Sequence, residues 1–275
     1  MDHKSLNMIT NFITWDISPE IFSIGSFSIR WYGVLFALSF VLGYIILQKI
    51  FKKEHVPVKL LDELTTYMVI ATIIGARLGH CLFYEPEYYL SKPLEIFKIW
   101  EGGLASHGAA IGILIALFIF SKRSKKSYLW ILDRIVIVVA LAGFFIRMGN
   151  LINSEIYGTV TDMPWGFVFV NAFDPRQAFE PRHPTQIYEA LSYLLIFIFL
   201  LTYYYKKNGA PRKGFLFAMF LILVFGARFI IEFFKVPQVG FESNWVFNLG
   251  QLLSIPFIIL GFVILFLGKK KNIQQ

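Results

Sequence analysis

The stretch FFIRMGNLINSEIYG, Phe144 to Gly158, places Arg147, Asn150, Asn153 and Glu155 directly behind a long apolar run. A soluble helix can end in such a turn. At membrane depth each of these groups needs a partner or a task. Arginine presents a planar fork that grips phosphate or carboxylate through two parallel hydrogen bonds, so anion binding is the first chemistry to consider. Similar residues recur along the chain. GARLGHCLFY sets Arg77 and His80 three apart, on one helical face. His107 lies in EGGLASHGAAIG; RHPTQIYE carries Arg182, His183, Gln186 and Glu189; GARFIIEFF puts Arg228 one turn before Glu232.

These residues need elements to hold them, and the composition says which kind. Apolar residues make up 56% of the 275, only 16% are charged, and phenylalanine occurs 30 times, well away from the soluble average. Seven segments approach the ~20 apolar residues that a bilayer requires, at 31–50, 64–83, 104–120, 129–146, 187–205, 214–234 and 247–267. The expected fold is an all-α membrane protein, one polytopic domain over 1–275. The third span opens with a glycine-rich, polar stretch and is expected to be broken or closely packed there. Pro256 falls inside the seventh, where a kink is tolerable if neighbours satisfy the freed carbonyl.

Orientation follows from the basic residues. In chain order the connections, the second counted from Lys49 at the end of the first span, hold 2, 4, 2, 4, 3, 4, 1 and 3 lysines and arginines, with three arginines left inside spans. The side holding 15 of them is the cytoplasmic one by the positive-inside rule. The N-terminus is therefore expected outside and the C-terminus in the cytoplasm. Residues 1–30 form an outside arm, and 151–182 a small extracytoplasmic head between helices 4 and 5. The net charge of +8 reads as membrane topology, with no nucleic-acid partner. The first 30 residues scatter Asp2, Lys4, Asp16 and Glu20 between short apolar pieces, unlike a cleavable signal peptide, so insertion is expected from the internal segments.

In this orientation the unusual polar residues of six spans share one level, near the outer leaflet. Asp133 and Arg134 are the exception, near an inner end, where an interfacial anchor or local pair suffices. Taken singly, each outer residue has a plainer role: Trp31 and Tyr32 as interfacial belt aromatics, Arg176 and Arg182 as solvated loop charges, Arg77 and Arg228 as snorkelling cations, Arg228 also as a mate for Glu232. Three or more arginines with one or two histidines at one level point instead to an anion site, and the anions abundant there are lipid phosphates.

Other chemistries find less support. The single Cys81 excludes an intrachain disulfide and sits in an apolar run as a small buried side chain. The five histidines, at 3, 55, 80, 107 and 183, form no HExxH or comparable spacing, and no acidic cluster suits magnesium, so neither a metal nor a cofactor is implied. Ser106 adjoins His107, yet no G-x-S-x-G elbow exists. A lipid transporter or flippase is the alternative from another class. It predicts charges along a path through both leaflets and internal repeats, whereas here the charges cluster outside.

RMGNLINSEIYG, Arg147 to Gly158, resembles the signature of the prolipoprotein diacylglyceryl transferases of bacterial membranes. WYG at 31–33, GARLGH at 75–80, GGLASHGAAIG at 102–112, RHPTQIYE at 182–189 and RFIIEFF at 228–234 follow in the family's order. The resemblance implies seven transmembrane helices in the bacterial cytoplasmic (inner) membrane, with the active site toward the outer leaflet. It implies two partners, phosphatidylglycerol and prolipoprotein signal peptides with a lipobox cysteine, and release of glycerol 1-phosphate. In such a reaction Arg147 and Arg228 take the phosphate, and His107 either takes the thiol proton or hydrogen-bonds the substrate. Tyr32, Asn150, Glu155, Glu232 and Arg77 bind or orient the substrate, and Gly158 permits a turn or a close approach. One turn before Arg228, where family members often carry tyrosine, this chain has Val224.

Overall fold

The computed structural model describes residues 12–25, 27–172, 177–236 and 247–272; Arg176 lies outside them. Seven long helices carry the apolar segments: α1 (Trp31–Lys53), α2 (Val58–Phe83), α3 (Ser106–Ser124), α4 (Tyr128–Ile152), α5 (Thr185–Lys206), α6 (Phe215–Ile231) and α7 (Leu249–Asn272). Each is long and apolar enough to cross a membrane, α6 with its 3-10 extension to Phe234. Large aliphatic side chains such as Ile70, Ile74, Ile115 and Leu195 stay on their outer faces, the arrangement a lipid environment stabilises.

The two largest departures from the expected boundaries have a common reason. Helix α2 begins at Val58, six residues before the apolar run, because the polar residues Lys59, Asp62 and Glu63 still complete helical turns after Pro57. Helix α4 continues six residues past 146, so Arg147 and Asn150 belong to its last turns rather than to a loop. Hydropathy marks where lipid ends, not where backbone hydrogen bonding ends.

The protein is mostly helical, and among the described residues five short strands add to the expected all-α fold: β1 (Ile13–Trp15), β2 (Glu20–Ile24), β3 (Phe27–Arg30), β4 (Phe167–Phe169) and β5 (Pro181–Arg182). Strands β2 and β3 form an antiparallel hairpin that leads straight into Trp31. Strand β1 pairs parallel with β4, which pairs antiparallel with β5, so the N-terminal arm and the segment between α4 and α5 share one sheet. Beneath it Leu151, Tyr157, Phe167 and Phe169 make a small core with Trp15 packed against it. The Trp15 indole N–H donates to the Leu151 carbonyl at 2.9 Å, filling one of the acceptors that a helix end leaves open.

The chain divides into two compact units, Met1–Ile45 with Ile135–Gln275, and Ile46–Arg134. In the first, α5, α6 and α7 pack in sequence order. In the second, α2 and α3 approach so closely that glycines are required. A Cβ on Gly79 would lie 2.6 Å from the Gly108 Cα, and one on Gly112 would lie 2.8 Å from the Ala71 carbonyl oxygen. Such small-residue contacts are the usual means of helix association in lipid, and they explain the glycine-rich start of the third span. Also in the second unit, Arg134 pairs with Glu54 at 3.0 Å and stands 3.9 Å from Asp133.

Candidate active site

The end of α4 sets the geometry of the signature stretch. The Ser154 N–H bonds the Leu151 carbonyl and the Glu155 N–H bonds the Asn150 carbonyl, the paired bonds of a Schellman motif. Its left-handed residue is Ser154, at φ 51°, where glycine is usual. Reversal of the chain swings Glu155 back over the helix, so that both Asn150 Nδ2, at 2.8 Å, and Asn153 Nδ2, at 3.1 Å, donate to its Oε1. Ile156 follows at φ 58°, a costly conformation for a β-branched residue. The first turn of α5 holds it there: Thr185 Oγ1 donates to the Ile156 carbonyl at 2.9 Å and Gln186 Nε2 to the Glu155 carbonyl at 2.7 Å.

Gly158 serves close approach, not turn geometry. Its N–H donates to the His183 carbonyl, and a Cβ there would collide with the Phe234 carbonyl oxygen, the His183 Cβ and the Thr185 methyl group. Three chain segments meet at this point.

Arg147 donates from Nη1 to Asn150 Oδ1 at 3.1 Å, and its Nε lies 2.9 Å from Oε2 of the fully buried Glu189. It also hydrogen-bonds the Tyr193 hydroxyl. Two rings flank this part of α4 and need its glycines. A Cβ on Gly143 would lie 2.9 Å from the Tyr193 ring, and one on Gly149 would lie 2.7 Å from the Tyr32 ring. Tyr32 stands in the field of both Glu155 and Arg147. Arg228 is half-buried, with the Tyr193 hydroxyl in its field; among the described residues it has no ion pair, with Glu232 or otherwise.

The partner of Glu232 is Lys235. The Lys235 Nζ lies 3.1 Å from Glu189 Oε1 and 3.3 Å from Glu232 Oε2, and all three side chains are buried. Arg147, Glu189, Lys235 and Glu232 thus form one ion-paired chain linking α4, α5 and the end of α6. In the sequence Lys235 reads as a lone topology charge and Glu189 as one more polar group at the outer level, while nothing singles out Tyr193. The available signal was i,i+3 spacing between Glu232 and Lys235, and Glu189 to Tyr193 at i,i+4. Arg182, expected in solvent, is instead buried, stacked over the Tyr157 ring at 5.4 Å and donating to the Gly158 carbonyl, because β5 carries it into the sheet.

The second unit holds Arg77, His80 and His107. The Arg77 guanidinium is occupied by backbone: Nε donates to the Ile96 carbonyl at 2.8 Å, Nη2 to Glu95 at 2.6 Å and Nη1 to Gly102 at 2.6 Å. Tyr89 covers it at 5.0 Å. Its task here is to fasten the connection that delivers residues 102–107 to α3. His80 stacks on Tyr84 and stands 3.7 Å from Glu85. His107, in the first turn of α3, is exposed, with the Phe83 and Tyr84 rings at 5.8 and 5.6 Å.

Buried cations held by carboxylates on neighbouring helices thus stand beside a helix end rich in asparagine. Residues 19–267 match the sequence profile of the family described as prolipoprotein diacylglyceryl transferase. The chain belongs to that family. Proteins named phosphatidylglycerol–prolipoprotein diacylglyceryl transferase share its sequence throughout. The one from Tolumonas auensis is 48% identical, covering 94% of this chain and 98% of its own length. Those from Chloroherpeton thalassium and Porphyromonas gingivalis are 46% and 44% identical, each covering 95% or more of both chains. As a member of this transferase family, with seven spanning-length apolar helices, the chain is a multi-pass membrane enzyme.

Proposed function

We infer that the chain transfers the diacylglyceryl group of phosphatidylglycerol to the cysteine thiol of prolipoproteins. Family membership over nearly the whole length is the observation that carries this; a lipid transporter finds no support there. The cysteine is that of a lipobox in the signal peptide. The enzyme lies in the cytoplasmic membrane, N-terminus outside, with the strand-bearing arm and head at the outer leaflet where lipid and peptide meet.

In the reaction the cysteine sulfur attacks the glyceryl carbon that bears the phosphate ester. A C–S bond forms, the C–O bond breaks, and its electron pair leaves with glycerol 1-phosphate. The thiol proton goes to a base, for which the His107 imidazole is the choice, since a thiol of pKa ~8.5 attacks only as thiolate. Arg147 and Arg228 bind the phosphodiester and disperse the charge that grows on the departing phosphate. Asn150 and Glu155 fix the Arg147 fork, and Tyr32 fills the wall beside it.

Mass spectrometry of a lipobox peptide incubated with the purified enzyme in phosphatidylglycerol vesicles tests the reading. A mass increase of one diacylglyceryl group on the cysteine is expected, and none in phosphatidylethanolamine vesicles. An unmodified peptide from folded protein in the first lipid would refute it.

A further inference from the structure

We propose that Lys235 is a positioning residue that keeps Arg147 available to anionic lipid by balancing the Glu189 and Glu232 carboxylates. The proposal rests on the reading that this cluster receives a phosphodiester, and concerns a residue that the reaction itself does not require.

The geometry is closed on all sides. The Lys235 side chain is 2% exposed and has both carboxylates within 3.3 Å. Its backbone is fixed by the N–H bond to the Glu232 carbonyl and by a bridge to Gly158. Glu232 cannot swing away, because Asn248 Nδ2 donates to its carbonyl at 3.1 Å and the start of α7 lies against its carboxylate, where a Cβ on Gly250 would collide. Glu189 is fully buried and already faces Arg147 through its other oxygen.

The paired set therefore holds two cations and two carboxylates. Without the ammonium it would carry one uncompensated negative charge in a buried place, where like charge repels strongly. The released carboxylate would also close on Arg147, taking up N–H groups that a phosphate oxygen needs. Both effects weaken ground-state capture of an anion. Neither touches the sulfur or the proton acceptor, so KM for phosphatidylglycerol should move more than kcat.

The test is a charge series in vesicles with phosphatidylglycerol diluted into phosphatidylcholine, at saturating lipobox peptide. Lys235→Met is expected to raise the phosphatidylglycerol KM about tenfold, a change of ~1.4 kcal/mol, and Lys235→Arg to recover most of it. Lys235→Met/Glu232→Gln restores the charge balance and should lower KM again relative to Lys235→Met, which a purely structural role would not allow. A KM as high in the double variant as in Lys235→Met, or a fall in kcat at unchanged KM, would overturn the proposal. If Lys235→Met does not fold, Lys235→Arg decides, since the proposal requires the retained charge to keep KM within a few-fold of wild type.

Equilibrium dialysis with short-chain phosphatidylglycerol, against short-chain phosphatidylcholine as control, separates this inference from the transferase reading. Selective binding that depends on Lys235, without transfer by the wild-type enzyme, would sink the reaction and leave the positioning role. Normal transfer by wild type with undiminished binding by Lys235→Met would sink the positioning role alone.

Discussion

Arg147 and Glu189 meet across two helices, with the Arg147 Nε 2.9 Å from an oxygen of a carboxylate that is completely buried. The pair aims the guanidinium while Asn150 holds its other edge. Removing Arg147 altogether would leave the buried Glu189 and Glu232 sharing Lys235, with one carboxylate charge uncompensated at a cost of about 3–5 kcal/mol in stability, which confounds any rate. Arg147→Lys is the cleaner variant. It keeps the charge and loses the fork, so it is expected to remain folded while kcat for peptide modification falls about 10²–10³-fold. Initial rates at saturating phosphatidylglycerol, with a melting curve in the same detergent, check both halves.

Gly158 is expected to be intolerant for a packing reason. An alanine methyl group there meets the Phe234 carbonyl and the side chains of His183 and Thr185 together, and two of these contacts are on backbone or near it, where nothing can yield. Overpacking of this kind costs about 1–3 kcal/mol. Gly158→Ala should therefore lower the melting temperature, and any activity lost should return partly on cooling. An unchanged melting curve with lost activity would assign Gly158 to the substrate instead.

The seven helices were legible because a bilayer demands one simple quantity, a run of about twenty apolar residues. The strands were not, since Ile13–Trp15 and Phe167–Phe169 are three residues each, too short for alternation to declare itself. Asn150 and Glu155 were readable as neighbours because they stand five apart, close enough for one helix end to join them. Lys235 and Arg182 were misread because a charge reports nothing of its partner 46 positions away, nor of the sheet that carries it inward. Arg77 stands out in the sequence as an arginine inside an apolar span, but its carbonyl partners at 95, 96 and 102 come from a connection without periodicity.

Ser154 occupies the left-handed position of the α4 terminus at φ 51°, and its hydroxyl, fully buried, has no hydrogen-bond partner among the described residues. A non-glycine residue there bears about 1–2 kcal/mol of strain. Ser154→Gly removes the strain and the unpaired hydroxyl while keeping both Schellman bonds, which are backbone. It is expected to raise stability by ~1 kcal/mol with turnover preserved, read as a higher melting temperature beside an unchanged initial rate. Lost turnover at raised stability would show that the serine hydroxyl serves the substrate.

His183 gives the region between α4 and α5 a pH dependence with a definite sign. Burial pushes its pKa below the ordinary 6.5, and the charge of Asp162 only partly opposes this. The Tyr188 hydroxyl lies 3.1 Å from Nδ1 and accepts from the Trp165 indole at 2.9 Å, which leaves the tyrosine proton to donate to the histidine. The folded chain thus prefers neutral His183 and binds fewer protons than the unfolded one, so stability rises with pH. The contribution is full above 6.5 and is lost as pH falls through the lowered folded-state value. Hydrogen exchange at the Gly158 and His183 amides, which bond to His183 and Thr159 carbonyls, should accelerate between about pH 7.5 and about pH 5 beyond the intrinsic trend. In His183→Gln, which cannot titrate, that extra acceleration should vanish. Its persistence would move the pH sensitivity to another group.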